Sequence, residues 1–287
     1  MNNNNIFLEE LFILAMKEKN MVSAHNIFTE LQAIINNPLT PMNKIVRLIE
    51  NDPGMTSIVL KTANSSFFGL SKKVSTIKQA ITVVGFTSLK NILISFSFKN
   101  TFNDKQYSLF NDLWQHSLAT AIATKNTISI NYPKYGDYAF VAGLLHDFGK
   151  FILLNLKPND FGKITQKIKI NSYQYSIPLE IEIFGVDHPE IGSFFSKKWL
   201  FPDAVVDSIK DHHHLENAIR HKEFVAAVAF GNNIAKALEI GSSTSGLIEF
   251  LPHWVYTLLG LNTGSFEYII NKTQSEYAEL TQTLGGN

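Results

Sequence analysis

Apolar positions recur three and four residues apart along most of this chain, and strand-like alternation is almost absent, so the pattern predicts helices joined by short breaks. The stretch that organises the rest is GDYAFVAGLLHDFGK, residues Gly136 to Lys150. Phe140, Val141, Leu144, Leu145 and Phe148 form a wide apolar face, Asp137 is placed to cap the helix, and Gly149 to relax or end it. Ala139, Gly143, His146, Asp147 and Lys150 share another stripe, on which small residues give way to three polar groups.

Prolines, glycines and capping residues divide the remainder. A first apolar segment, Ile6 to Lys19, must lean on something, either as an appended helix or as a dimer element. Ile27 to Ile35 ends before Pro38, Thr40 with Pro41 opens Met42 to Glu50, and Asp52 with Pro53 opens Gly54 to Ala63. Ser75 opens Thr76 to Val84, which Gly85 closes, and Thr87 opens Ser88 to Phe98. Asn103 to Tyr107 is a polar connector before a helix from Phe110 to Ile128, and Phe151 to Leu156 continues as a short helix that stops at Pro158. Pro178 opens a helix that Gly185 ends, and Asp187 caps the next, with Pro189 in its first turn. Asp203 to His212 and Phe224 to Leu238 are further helices. Gly241 to Gly246, GSSTSG, reads as a flexible break before helices around Pro252 to Leu259 and Phe266 to Tyr277.

Composition removes several classes. The 287 residues, 45% hydrophobic and 17% charged, suffice for a large core. Lys+Arg and Asp+Glu balance at 25 each, and Arg47 and Arg220 are the only arginines, so neither a basic field nor a stock of phosphate forks points to nucleic acid. Lysine clusters such as Lys72 with Lys73, and Lys163, Lys167 and Lys169, are solvated faces. There is no cysteine, which excludes disulfides and thiolate metal sites and fits a reducing compartment. The amino terminus lacks a basic n-region and carries Glu9 and Glu10, and the apolar runs Asn91 to Phe98 and Phe151 to Leu156 are too short to cross a bilayer. The expectation is a cytoplasmic protein without a membrane or nucleic-acid partner.

The candidate chemistry lies in the nine histidines. Taken alone, His146 and Asp147 are a buried histidine oriented by its neighbour. His116, His188, His212 and His213 also fall in helical context, however, and clusters of imidazole and carboxylate bind divalent transition metals. His188 sits at a helix start, whose dipole favours a neutral imidazole. His212 and His213 can both contribute only where an ion or ligand lies at the helix end. His214 is placed in solvent, and His253 in packing or at the surface. Lys150 either reaches solvent along its aliphatic stem or steadies a phosphate. A cluster satisfied by mutual hydrogen bonds or water is the alternative to a metal.

The segments DPGMTSIVLKTANSSFFGL, Asp52 to Leu70, and VSTIKQAITVVGFTSLKN, Val74 to Asn91, together resemble the HDOD family of bacterial signalling proteins, related to the HD-domain phosphohydrolases. Asn64, Ser65 and Phe68 end a helix in that pattern, and Ala80, Ile81 and Gly85 match its small helix and tight turn; Asn64 and Ser65 also suit a structural terminator. Glu180 to Trp199 is similar to the same family. The resemblance implies an all-α, HD-domain-like helical bundle with an amino-terminal helical subdomain. It divides the chain into an appended helix at 1–20, an amino-terminal HDOD half at 21–108, an HD-like half at 109–240 and carboxy-terminal helices at 247–287. It gives His116 the role of the first ligand, and His146, Asp147, His188, His212 and His213 those of a one- or two-metal centre for iron, manganese, zinc or nickel.

Gly231 to Ala235 aligns with a small-Asp-x-aliphatic-Ala pattern of the HD superfamily, which places Asn232 where a last carboxylate ligand is expected. An amide oxygen is a weaker, uncharged ligand, and the site loses charge that would hold a dication and share in activating water. The Gly-Tyr-Pro element of the cyclic-dinucleotide phosphodiesterase branch is absent. Two functions follow: a signalling module acting through a protein partner, as a monomer or a homodimer, with a retained metal site; or a phosphohydrolase of a phosphorylated small molecule, with Asp147 and Lys150 in the catalytic set.

Overall fold

The computed structural model describes residues 3–18, 21, 42–50, 56, 59–61, 63–64, 73–85, 89, 104–171 and 174–284. Among them every regular element is helical. The helices are α1 (Asn3–Ala15), α2 (Met42–Glu50), α3 (Ile77–Val84), α4 (Asp104–Ile128), α5 (Gly136–Leu145), α6 (Phe148–Leu156) and α7 (Pro158–Ile170). They continue as α8 (Ser176–Phe184), α9 (His188–Lys198), α10 (Asp203–Asp211), α11 (Lys222–Ala237), α12 (His253–Leu259) and α13 (Thr263–Leu284).

The long helix α4 is the axis of the fold, and α5 and α11 both pack against it around Thr120 and Thr124. It begins at Asp104, so Asp104 to Tyr107, expected as connector, are helical. α11 approaches α4 through Gly231, where a Cβ would lie 2.8 Å from the Thr124 backbone nitrogen. Only a residue without a side chain permits that separation.

The organising stretch is two helices. α5 starts at Gly136, which puts Asp137 in the first turn rather than at the cap. The break falls at His146 and Asp147, not at Gly149. Asp147 adopts φ −92°, ψ 21°, the bridge region between helix and strand, and α6 restarts at Phe148. Gly149 lies inside α6 for a different reason: a Cβ there would stand 2.0 Å from the His188 carbonyl oxygen, where α9 crosses α6 at Gly192. The glycine is thus the contact that brings His188 to Asp147.

Among the described residues, three apolar clusters surround this frame. Phe148, Phe151, Ile152 and Leu153 of α6 pack with Phe195, Trp199, Val206 and Ile209, and α1 adds Leu8 and Leu11. Ile45, Ile49, Val59, Ile77 and Ile81 of the amino-terminal helices pack on Leu118, Ile122, Phe140 and Leu144. Val225, Phe230, Val255, Leu259 and Ile269 form the third cluster. Full burial of each large side chain contributes about 1.5–3 kcal/mol.

Local signals account for several ends. Thr76, not Ser75, caps α3, its hydroxyl accepting from the Gln79 N–H at 3.2 Å, and Gly85 follows the last turn. Asn64 acts as a terminator: its Oδ1 accepts from the Val74 N–H at 2.6 Å and its Nδ2 donates to the Val74 carbonyl at 2.7 Å. Gly185 ends α8 and Asp187 caps α9, accepting from the Glu190 N–H at 2.9 Å. Ser65, Phe68 and the expected helices at 27–35 and 88–98 lie outside the described residues, apart from Leu89. Tyr138–Leu156 (19 residues, mean hydropathy 1.4) has the length and composition of a membrane span, but 89% of it is buried inside the fold and it is broken in two.

Candidate metal centre

The seven residues picked out for a metal converge at one place. α4 supplies His116, the α5–α6 break His146 and Asp147, the start of α9 His188, the end of α10 His212 and His213, and α11 Asn232. Ligand atoms of Asp147, His188, His212 and His213 lie within 4.8 Å of one another, and so do those of His116, His146 and Asp147. The two groups share Asp147. Its Oδ1 is 3.1 Å from His188 Nε2 and 3.8 Å from His212 Nε2, while its Oδ2 is 3.4 Å from His146 Nε2.

Four rings are anchored through Nδ1, which frees Nε2. His146 Nδ1 donates to the Gly143 carbonyl at 2.7 Å, and His212 Nδ1 to the Ile209 carbonyl at 2.9 Å, so each is held by its own helix end. His188 Nδ1 donates to Glu180 Oε2 at 2.7 Å and His213 Nδ1 to Glu249 Oε2 at 2.6 Å. The Nε2 atoms of all four rings, with Asp147 Oδ1, are buried without a hydrogen-bond partner among the described residues. The short His188–Asp147 approach is not aligned as a hydrogen bond. Leaving one such buried group unmet costs about 1–3 kcal/mol, so five together fit a bound cation. An Nδ1 anchored on carbonyl or carboxylate with Nε2 turned inward is the arrangement metal-ligating histidines adopt.

The electrostatics agree with this chemistry. Burial and then His146 push the His116 pKa well below its ordinary value, and burial and neighbouring histidines do the same to His212 and His213. These imidazoles are neutral at neutral pH, as ligation requires. Burial opposes the Asp147 carboxylate, but His146 and Lys150 hold its pKa well below the usual range. His188 departs from the helix-dipole expectation: burial works against its charge, yet the Glu180 carboxylate prevails and raises its pKa.

His116 Nε2 lies 2.9 Å from Asn232 Oδ1, a pairing that satisfies the amide oxygen within the protein. Lys150 is 2% exposed, which excludes the solvent-reaching alternative. Its ammonium donates to Asp147 Oδ2 at 2.9 Å and to the Ser243 carbonyl at 2.8 Å. His214 is part-exposed, between Asp187 and Glu216. Three residues absent from the expected set support the centre: Glu180, Glu249 and Lys236, whose ammonium donates to Glu249 Oε1 at 2.7 Å. Glu180 left one trace in the sequence, a carboxylate inside the apolar run LEIEIF; Glu249 and Lys236 left none. Beside the centre opens a cavity of about 220 Å³, lined by Lys150, His213, Lys236, Ser243 and the start of α8 at Tyr175 to Pro178.

The sequence profile of the HDOD domain matches residues 21–215. The chain belongs to the HDOD family. Among curated proteins, this HDOD chain is 29% identical over 222 residues to an uncharacterized protein of Treponema pallidum (strain Nichols), covering 73% of the chain and 41% of the relative. The HDOD chain therefore spans less than half the length of that relative. Among solved structures, a candidate signal transduction protein from Marinobacter aquaeolei VT8 superposes with TM-score 0.72 at 19% identity, over 99% of this chain and 67% of the other. A candidate phosphohydrolase from Shewanella amazonensis SB2B superposes with TM-score 0.69 at 19% identity, over 94% and 100%. At these identities the likeness is one of fold, the all-α HD-like bundle.

Proposed function

We propose that this chain is a bacterial signalling module that acts through contacts with a protein partner and holds a divalent transition metal in its His/Asp centre. The observation that carries the metal is the convergence of four imidazole Nε2 atoms and Asp147 Oδ1, all buried and all without a hydrogen-bond partner among the described residues. An all-nitrogen-and-oxygen set of this kind suits iron, manganese, zinc or nickel. His188, His212, His213 and Asp147 would form the stronger site, and His146, His116 and Asp147 a weaker one, because Asn232 brings no charge. Such an ion, when bound, supplies a fixed positive charge and Lewis acidity. Lys150 neutralises the other oxygen of Asp147, and Glu180 and Glu249 orient two of the rings.

Regulation is favoured over turnover by Asn232, whose oxygen is occupied by His116, and by membership of a family of signalling proteins. A cytoplasmic location agrees with the lack of cysteine and with the burial of the apolar run. The cavity beside Lys150, Lys236 and His213 supports a second function, hydrolysis of a phosphorylated small molecule. One experiment separates the two. Metal-loaded protein is incubated with nucleoside mono-, di- and triphosphates and cyclic dinucleotides, and in parallel is used to capture partners from lysate. Capture without turnover supports the signalling function; turnover abolished by Asp147→Ala replaces it with the enzyme.

A further inference from the structure

After α11 the chain crosses back over the centre as a strap, residues 241–251, with no helix or strand. The flexible break expected at Gly241 to Gly246 is instead pinned, because its hydroxyls and backbone find partners: Ser243, Thr244 and Ser245 are buried. The Ser242 N–H donates to the Asp112 carbonyl at 3.0 Å, Ser243 Oγ to the Ser245 carbonyl at 2.7 Å, and Ser245 Oγ to the Gln174 carbonyl at 3.1 Å. Farther on, Asn233 of α11 grips the backbone of Glu249 at two points. Its Oδ1 accepts from the Glu249 N–H at 2.9 Å and its Nδ2 donates to the Glu249 carbonyl at 2.7 Å, as a neighbouring strand would. Ile248 and Phe250 therefore point outward, 57% and 91% exposed, and Glu249 points in.

We infer that Glu249 is a positioning residue of the metal centre and that the strap, through it, sets whether His213 can serve as a ligand. This rests on the metal proposed above. His146 and His212 are fixed by carbonyls of their own helices, and His188 by Glu180 of the preceding helix. His213 stands beyond the end of α10, and its Nδ1 is held by Glu249 Oε2 alone among the described hydrogen bonds. Accepting that proton fixes the tautomer with Nε2 unprotonated and turns it toward the centre. Lys236 holds the other oxygen of Glu249 at 2.7 Å, and Asn233 fixes its backbone, so one carboxylate is located from three sides. Asn233, Lys236 and Glu249 all lie past residue 215, where the HDOD match ends. The centre is thus completed by residues past the matched stretch, whereas its other ring anchors, Gly143, Glu180 and Ile209, lie within it.

The test loads the full chain with cobalt(II), whose visible bands report coordination, and measures its affinity in wild type, Glu249→Ala, Glu249→Gln and Asn233→Ala. Glu249→Ala is expected to weaken cobalt binding about 10–100-fold and to shift the bands. Glu249→Gln, which still offers an oxygen to His213, restores the wild-type bands with intermediate affinity. Asn233→Ala, which loosens the strap without touching a ligand, weakens binding in the same direction and keeps the test decisive should Glu249→Ala fail to fold. If wild type binds cobalt and the alanine variants keep its affinity and bands, whatever their melting temperatures, the positioning role is overturned and the metal centre stands. Wild-type protein that takes up no cobalt overturns both.

Discussion

Asp147 Oδ1 and His188 Nε2 lie 3.1 Å apart although 41 positions separate the residues, and Gly149, two residues beyond Asp147, is what lets their helices meet. Any side chain at 149 must displace the carbonyl of the very histidine that faces the aspartate.

Gly149→Ala is therefore expected to destabilise the fold by about 1–3 kcal/mol through overpacking and to weaken metal binding together with stability. Chemical denaturation and metal titration of the same preparation check it; an alanine accepted at no loss in either would show that the helices have slack at this crossing.

Lys150 is the only ammonium within hydrogen-bond distance of Asp147 among the described residues. Lys150→Met leaves a buried carboxylate without its cation, an effect of about 3–5 kcal/mol in the metal-free protein. A bound dication replaces the lost charge, so adding metal should recover much of the deficit. Melting temperatures with and without chelator, for wild type and variant, measure the difference of differences.

Glu180 is fully buried, and its pKa is lowered from 4.5 because burial, which alone would raise it, is outweighed by His188. A carboxylate with a depressed native pKa contributes stability above its unfolded value and loses it as the pH falls through the native one. Glu180→Gln should thus flatten the acid side of the stability profile below pH 4.5, and Glu180→Ala, which leaves His188 Nδ1 without its acceptor, should weaken metal binding about 10–100-fold. Denaturation across that acid range and a metal titration at neutral pH provide the two readouts.

Much of this was legible in the sequence, for identifiable reasons. Helical spacing exposed the apolar faces of α4, α5 and α11, and the Gly185, Asp187 and Pro189 signals marked the α8–α9 junction because caps act locally. His116, His146, Asp147, His188, His212, His213 and Asn232 were found by residue type and family pattern, and the fold brings them together. Gly149 was misread because a glycine needed for close approach looks the same, in sequence, as one that ends a helix. Glu180 was hidden by an inverted pattern: it is 0% exposed while Ile181 beside it is 51% exposed. The strap was misread because Ser, Thr and Gly suggest mobility unless their partners are known. Glu249 was hidden because an extended segment carries no periodicity to mark its inward side.

Asn232→Asp would return a carboxylate to the position 2.9 Å from His116 Nε2. The added charge favours a second ion on His116, His146 and Asp147, so the variant is expected to bind up to about two equivalents of metal where wild type binds about one. Stoichiometry by elemental analysis decides it, and an unchanged ratio would mean that a lost charge is not what limits the weaker site.

The central claim is that the converging imidazoles and Asp147 hold an ion. The most direct measurement is elemental analysis of protein purified without chelator, set beside Asp147→Asn prepared in the same way. Stoichiometric iron, manganese, zinc or nickel in wild type, lost in the variant, is the predicted result. Folded wild-type protein free of transition metal, and unable to take it up after chelation and reloading, would contradict the account.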